Sequence, residues 1–345
     1  MEGEIFLYQP QHKSKVYYDL LHKNREAQLF LAALRLEVFS YLEDWSSPAE
    51  LALRTGFNGR NLALLLNALA AAGLLEKRQN DYRNTGVGNE FLHKNSPVYL
   101  GESLLFRERM MALDNVEERV RSGPDAGIAA RNQGVEVYNF HEAARCGIPE
   151  MYTGRVQGLL KAVQKLFGEE QPRKVLDLGG GSGVMLKELV SHYPNSRGVL
   201  FEHPSVADLP RQLLREWGLA DRISILAGDF NKDDIGKDYD LIIASGIIDF
   251  AKDHLDILTA KLGEALAPEG YLYLVSHNVN EDYQEPAECI LGWLSSHLDG
   301  LDILLTKDTI VAALARHGFK PVLFSPDEGV FTFLQGEFYQ RRLDG

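Results

Sequence analysis

The run Val175-Leu176-Asp177-Leu178-Gly179-Gly180-Gly181-Ser182-Gly183 leads into Val184 to His192, a segment with helical spacing. An apolar strand that enters a glycine-rich turn and emerges as a helix is the opening unit of a parallel α/β sheet. Without side chains at the turn, a ligand can approach the backbone and the exposed amides of the helix start. Three details narrow the choice of ligand. A nicotinamide fingerprint would place glycine at 184, where the chain has Val184. A phosphate loop would need Gly-Lys-Ser/Thr, which is absent. Asp177, just ahead of the glycines, would repel a pyrophosphate but suits a ligand that carries an ammonium group.

Downstream, strands are predicted at Gly198 to Glu202, Ile223 to Ala227, Leu241 to Ala244 and Tyr271 to Ser276, after a first strand at Lys174 to Leu178. A terminal antiparallel hairpin is predicted from Lys320 to Phe324 and Val330 to Leu334, turning at Pro326-Asp327-Glu328-Gly329. The fold class is therefore α/β, a doubly wound, mostly parallel sheet with an antiparallel C-terminal hairpin. Glu202, at the end of the second strand, is placed to accept both hydroxyls of a ribose. Gly228-Asp229-Phe230, closing the third strand, offers a carboxylate to an adenine amine and a ring to its face.

Upstream, apolar residues recur at helical spacing from Asn24 to Leu42. Ser47-Pro48 opens a helix that ends at Gly56, and Asn58 opens another, Gly59 to Ala72, that stops at Gly73. Leu74 to Arg78 and Tyr82 to Thr85 flank a polar turn and form a short hairpin. Two helices and a hairpin make a winged helix-turn-helix, a mostly α unit. Its second helix, Asn61 to Leu69, holds little that could read a groove, which favours a packing and dimerisation module over DNA recognition. Between the halves, Ser103 to Phe167 is helical, broken near Ser122-Gly123-Pro124 and Gly147-Ile148-Pro149. The expected divisions are 1–100, winged helix; 101–170, helical linker and lid; and 171–345, cofactor-binding sheet.

Composition limits the partners. Among 345 residues the net charge is -13, which argues against nucleic acid and against anionic lipid, since both need clustered cations. No apolar run approaches the ~18 residues of a membrane span. The start, Met1-Glu2-Gly3-Glu4, lacks the basic head of a signal peptide. The two cysteines, Cys146 and Cys289, belong to no paired motif, as expected in a reducing cytoplasm.

With these residues in view, the chain resembles the class I S-adenosylmethionine-dependent methyltransferases. It is most similar to the small-molecule O-methyltransferases related to the plant caffeate and animal hydroxyindole enzymes. The likeness covers nearly the whole length, including the winged-helix half, and implies a Rossmann-like domain joined to a dimerisation domain. It assigns the cofactor loop to Asp177, Gly179, Gly180, Gly181 and Gly183, the ribose to Glu202, and the adenine side to Asp229 and Phe230, with Ser245 at the end of the fourth strand. S-adenosylmethionine is the implied cofactor and a homodimer the implied assembly.

One half of the family pattern is missing. The family follows its fourth strand with His-Asp-Trp, whose histidine removes a proton from a phenol. Here the run is Ser245-Gly246-Ile247-Ile248-Asp249-Phe250-Ala251-Lys252-Asp253. Without a gap Asp249 falls on the histidine; with a one-residue deletion Ile248 does, and Asp249 matches the following aspartate. The supporting acids fall at Ser276 and Leu304. Asp249 is one candidate base left, and His141, His254 and His277 are alternatives, with His277 foremost because it follows the fifth strand at the ligand end of the sheet. His254 begins a helix and is expected in solvent.

A general base contributes ~10²–10⁴-fold, whereas orienting two bound reactants supplies ~7–11 kcal/mol. The favoured expectation is methylation of a small aromatic or heterocyclic metabolite mainly by proximity. The alternatives are a cofactor-assisted decarboxylation, hydroxylation or rearrangement on the same fold, and a winged-helix regulator that senses a metabolite. Phe106, Met110, Phe140, His141, Met151, Tyr152 and Ile248 are the candidate substrate-facing residues, with Met151 and Tyr152 foremost through the resemblance. No histidines or carboxylates have metal-ligand spacing, so no metal is expected.

Overall fold

The computed structural model describes residues 8–131, 139–301, 303–322 and 336–341. They form two compact units, residues 1–105 and 106–345. Most of the segment expected as a separate lid, 106–170, therefore belongs to the unit that carries the sheet.

In the first unit, α1 (Lys15–Arg35) is followed by a 3-10 turn at Val38–Tyr41, then α2 (Pro48–Thr55), α3 (Gly59–Ala71), β1 (Leu75–Arg78), β2 (Asp81–Asn84) and α4 (Gly86–Phe91). The first helix starts earlier and ends sooner than expected, because Glu37 takes a left-handed φ of 54° that halts it. Its added turns bear Val16, Tyr17, Leu20 and Leu21, all exposed. Local chemistry sets the next two boundaries. Ser47 and Glu50 form a reciprocal capping box, the Glu50 N–H donating to Ser47 Oγ at 3.3 Å and the Ser47 N–H to Glu50 Oε2 at 2.8 Å. Asn58 Oδ1 accepts the Asn61 N–H at 3.0 Å. A core of Leu34, Phe39, Leu51, Leu66, Leu69 and Tyr82 ties helices to hairpin.

The second unit opens with α5 (Gly101–Met110), whose first residues fall in the other unit, then α6 (Val116–Ser122), α7 (Ala126–Arg131), α8 (Phe140–Cys146) and α9 (Ile148–Glu150). A π turn at Met151–Arg155 leads to α10 (Val156–Phe167). The helices part at Gly147, as expected, and a sharper break follows at Gly154, φ 128°. The sheet strands are β3 (Lys174–Leu178), β4 (Arg197–Glu202), β5 (Ile223–Ala227), β6 (Tyr239–Ser245), β7 (Leu266–Val275), β8 (Phe319–Val322) and β9 (Gly336–Arg341). Between them run α11 (Val184–His192), α12 (Asp208–Glu216), α13 (Leu255–Ala265), α14 (Ala287–Leu298) and α15 (Lys307–Arg316).

The order is β5-β4-β3-β6-β7-β9-β8, with β3 to β7 parallel and β9 antiparallel to both β7 and β8. The terminal strands do pair, but the partner of β8 is Gly336–Arg341, inserted between β7 and β8. The expected strand Val330 to Leu334 and its turn at 326–329 lie outside the described residues. Alternation along the strands divides the core in two. Leu176, Leu178, Ile242 and Leu272 face α13 and α15, while Val175, Leu200, Leu241 and Ile243 face α10 and α11. Period-2 patterning with both faces covered is what a central parallel sheet requires. Strand order reverses at β3, which places the ligand crevice at the carboxyl ends beside β3 and β6.

Candidate active site

A cavity of 420 Å³ opens at that place. Its lining is drawn from the segments that follow four successive strands: Gly179 and Gly181 after β3, Glu202 and His203 at β4, Gly228 to Lys232 after β5, and Ser245 to Ile247 with Asp249 and Phe250 after β6.

The glycine turn is sterically compelled. Gly179, Gly181 and Gly183 have φ of 64°, 58° and 77°, a region that L side chains enter at a cost. A Cβ at Gly179 would sit 2.4 Å from Ile247 Cγ2, and one at Gly183 would sit 2.6 Å from Leu200 Cδ1. Gly180 is glycine for a different reason, since a Cβ there would lie 2.5 Å from the Asp177 carboxyl. Asp177 thus packs behind the turn and is not among the residues lining the cavity. Its Oδ2 is buried with no hydrogen-bond partner. Burial first, and the Glu202 carboxylate second, push its carboxyl up to about 7, against a backbone hydrogen bond at Leu186.

Glu202 braces the turn from β4. Its Oε2 accepts the Gly181 N–H at 2.7 Å and its Oε1 the His203 N–H at 2.6 Å. Burial raises its carboxyl above the ordinary value, and those two amides oppose the rise. On Asp229 burial also acts upward, but Lys232, at 2.8 Å, and the Asn231 N–H, at 3.0 Å, hold the carboxyl below its usual value. Phe230 packs against the core cluster of β6 and α13. Among the described residues no group of three or more His, Cys, Asp or Glu is arranged to hold a metal ion.

The two candidate bases are brought together. Asp249, 1% exposed, accepts the Leu305 N–H on Oδ1 at 2.9 Å and meets His277 Nδ1 with Oδ2 at 2.8 Å. Trp293 Nε1–H donates to His277 Nε2 at 3.0 Å. An indole N–H can only donate, so Nε2 is unprotonated and a neutral imidazole keeps its proton on Nδ1, directed at Asp249. Each oxygen of Asp249 thus has one protein donor, and the carboxylate both anchors His277 and borders the cavity. His254 is exposed, as expected, but it also borders the cavity.

The substrate-facing expectations fare differently. Phe140 lies on the cavity wall, its ring edge-on to Phe250 at 5.4 Å. Ile248 is fully buried in the core, the fate of an apolar residue that turns inward beneath the strand end. Met151 and Tyr152 pack on the α10–α11 core, where Tyr152 Oη donates to Glu188 at 2.7 Å. Phe106 is buried, Met110 half-buried and His141 exposed, and none of these three lines the cavity. Residues not anticipated on the wall include Val206, Ile247, Phe250, Leu301 and Ile303. Ile247 and Phe250 follow β6, a position that could have flagged them. Leu301 and Ile303 come from an irregular segment after α14, which has no periodicity to read.

Comparison with known proteins follows the same division of the chain. Residues 144–296 match the family model of the O-methyltransferase domain, and residues 18–94 match that of the O-methyltransferase dimerisation domain. The 3-hydroxy-5-methyl-1-naphthoate 3-O-methyltransferase of Streptomyces sahachiroi is 28% identical over 276 residues, 77% of this chain and 78% of the relative. Acetylserotonin O-methyltransferase of Mus musculus is 28% identical over 326 residues, 87% of this chain and 82% of the relative. The fold is shared with human N-acetylserotonin methyltransferase, solved in complex with S-adenosylmethionine, at a TM-score of 0.72 and 22% identity, covering 97% of this chain and 99% of that one. Glycine turn, strand-end acids and both domain matches lead to one result: the chain is an enzyme that belongs to the S-adenosylmethionine-dependent O-methyltransferase family.

Proposed function

We propose that the chain methylates a small aromatic or heterocyclic metabolite, in the cytoplasm and as a homodimer, with the cavity beside β3 and β6 as the cofactor site. The observation that carries this reading is the convergence there of a side-chain-free turn and the Glu202 and Asp229 carboxylates. Those residues fit the cofactor. Gly179 to Gly183 leave room for its amino-acid portion, and the buried Asp177 Oδ2, which has no hydrogen-bond partner, lies behind them. Each oxygen of Glu202 keeps a lone pair for a ribose hydroxyl, while Asp229, Phe230 and Ser245 bound the base side. Bound there, the cofactor supplies an electrophilic methyl group on a positively charged sulfur.

The chain's own contribution is orientation. Phe140, Phe250, Leu301 and Ile303 give the cavity an apolar, partly aromatic wall that suits a flat acceptor and excludes water. Fixing two reactants in line is worth ~7–11 kcal/mol, more than the ~10²–10⁴-fold of a general base, so transfer mainly by proximity is compatible with Ile248 or Asp249 standing where the family keeps histidine. The relatives support an aromatic acceptor, one being named for a hydroxynaphthoate and one for acetylserotonin. Val16, Tyr17, Leu20 and Leu21 lie exposed on α1 and, with the dimerisation-domain match, support the homodimer. No helix among the described residues is long and apolar enough to cross a membrane.

Calorimetry with S-adenosylhomocysteine tests the cofactor site: binding is expected, and Gly181→Asp abolishes it by placing a carboxylate in the turn. A purified protein that binds neither S-adenosylhomocysteine nor S-adenosylmethionine would overturn the reading. Sedimentation tests the assembly, with a dimer expected and dissociation on Tyr17→Glu with Leu21→Glu.

A further inference from the structure

We propose that His277 is the general base for a hydroxyl acceptor, with Asp249 as its anchor and the Trp293 indole as a stopper that the acceptor displaces. The inference deepens the methyltransferase reading and rests on it.

Three observations converge. The run from Ser245 to Asp253 after β6 has no histidine, but His277 lies two residues beyond β7, the parallel neighbour of β6, at the same carboxyl end. Its Nδ1–H is bound to a buried carboxylate at 2.8 Å, which fixes the ring and stabilises the imidazolium that a base becomes. Its Nε2 lone pair, the atom that would receive a proton, is covered by an N–H donor at 3.0 Å. An acceptor hydroxyl makes the same kind of bond in the same place: a donor directed at Nε2. The indole therefore stands where the substrate O–H would stand.

The stopper is one ring away from the cavity. Trp293 lies edge-on to His277 at 5.7 Å and to Phe250 at 6.3 Å, and Phe250 contacts Phe140. Phe140, Phe250 and Asp249 all line the cavity. An indole swing past Phe250 joins His277 to that space. In the step itself the acceptor oxygen forms its bond to the methyl carbon as the carbon–sulfur bond breaks, and the sulfur keeps that electron pair. The hydroxyl proton passes to Nε2. The positive charge lost at sulfur reappears on the imidazolium beside Asp249, and the proton later leaves to water.

The test separates the base from the stopper. Diethylpyrocarbonate acylates an unprotonated imidazole nitrogen, and peptide mass spectrometry locates the adduct. Trp293→Phe keeps a ring but removes the N–H, so acylation of His277 should quicken markedly over the parent protein; an unchanged rate would overturn the stopper. For the base, 3-hydroxy-1-naphthoate and its 3-amino analogue are offered with S-adenosylmethionine. His277→Gln should lower methylation of the hydroxyl compound by ~10²-fold or more, spare the amine, whose lone pair needs no prior deprotonation, and leave S-adenosylhomocysteine affinity intact. Hydroxyl methylation that survives His277→Gln, or a parent protein that methylates only the amine or neither compound, would overturn the base. Failure of the parent protein to bind S-adenosylhomocysteine would instead remove the methyltransferase reading beneath it.

Discussion

Replacing Asp177 with asparagine should leave stability near pH 4.5 little changed and raise it relative to the parent as pH rises. In the folded chain the Asp177 carboxyl is pushed up to about 7 from an ordinary 3.8, by burial first and by Glu202 second. A carboxyl raised in this way binds its proton more tightly folded than unfolded. Its stabilising contribution is complete below pH ~4 and is lost as pH rises through ~7. Each tenfold change in proton affinity corresponds to ~1.4 kcal/mol, so the loss is on the order of 4 kcal/mol, an upper figure because the site relaxes on ionisation. The asparagine side chain is nearly isosteric with the protonated acid and cannot ionise. Urea unfolding of both proteins at several values between pH 4.5 and pH 8 cancels the titrations they share. Asp177→Asn should gain stability relative to the parent as pH rises, with most of the gain between pH 5 and pH 7. Parallel stability curves over that interval would refute the argument that the carboxyl is buried and uncompensated.

Further outcomes are accessible to standard measurements. Gly183→Ala combines a left-handed backbone with a Cβ 2.6 Å from Leu200, whereas Gly181→Ala meets only Ala144 at 3.4 Å. Urea melts should show a loss of ~1–2 kcal/mol from strain at position 181 and a further ~1–3 kcal/mol from overpacking at 183. Glu202→Ala should weaken S-adenosylhomocysteine binding by ~10- to 100-fold in calorimetry, since it removes an acceptor and the brace on the Gly181 amide together. Ser47→Ala breaks the capping box of α2 and should cost ~1 kcal/mol by urea titration, with no effect on S-adenosylhomocysteine affinity.

Much of the architecture was legible because it is locally encoded. The first strand, the helix Val184 to His192 and the strand Ile223 to Ala227 have the ends that apolar patterning and glycine predicted. The expected caps at Ser47 and Asn58 form as side-chain hydrogen bonds. Sequence and structure part where distant residues decide the outcome. The last strand, Gly336–Arg341, pairs along the edge of β7, far away in the chain. Met151 and Tyr152 have the composition of a pocket wall, yet α11 gives Tyr152 a carboxylate partner and a core to join. Phe250 lies on the wall because Phe140, from a helix far earlier in the chain, packs against its edge.

The sequence by itself determined the glycine turn and the acids at the strand ends, because each depends on backbone freedom or charge within a few residues, and through the family resemblance it implied the cofactor. Only the tertiary structure decided that Asp177 is buried and not displayed, that Asp249 grips His277, and that Trp293 covers the nitrogen beyond it. Those last two contacts join residues 28 and 16 positions apart on separate elements. Hydrogen bonds across such distances exist only after packing has brought the elements together, and no local pattern records them.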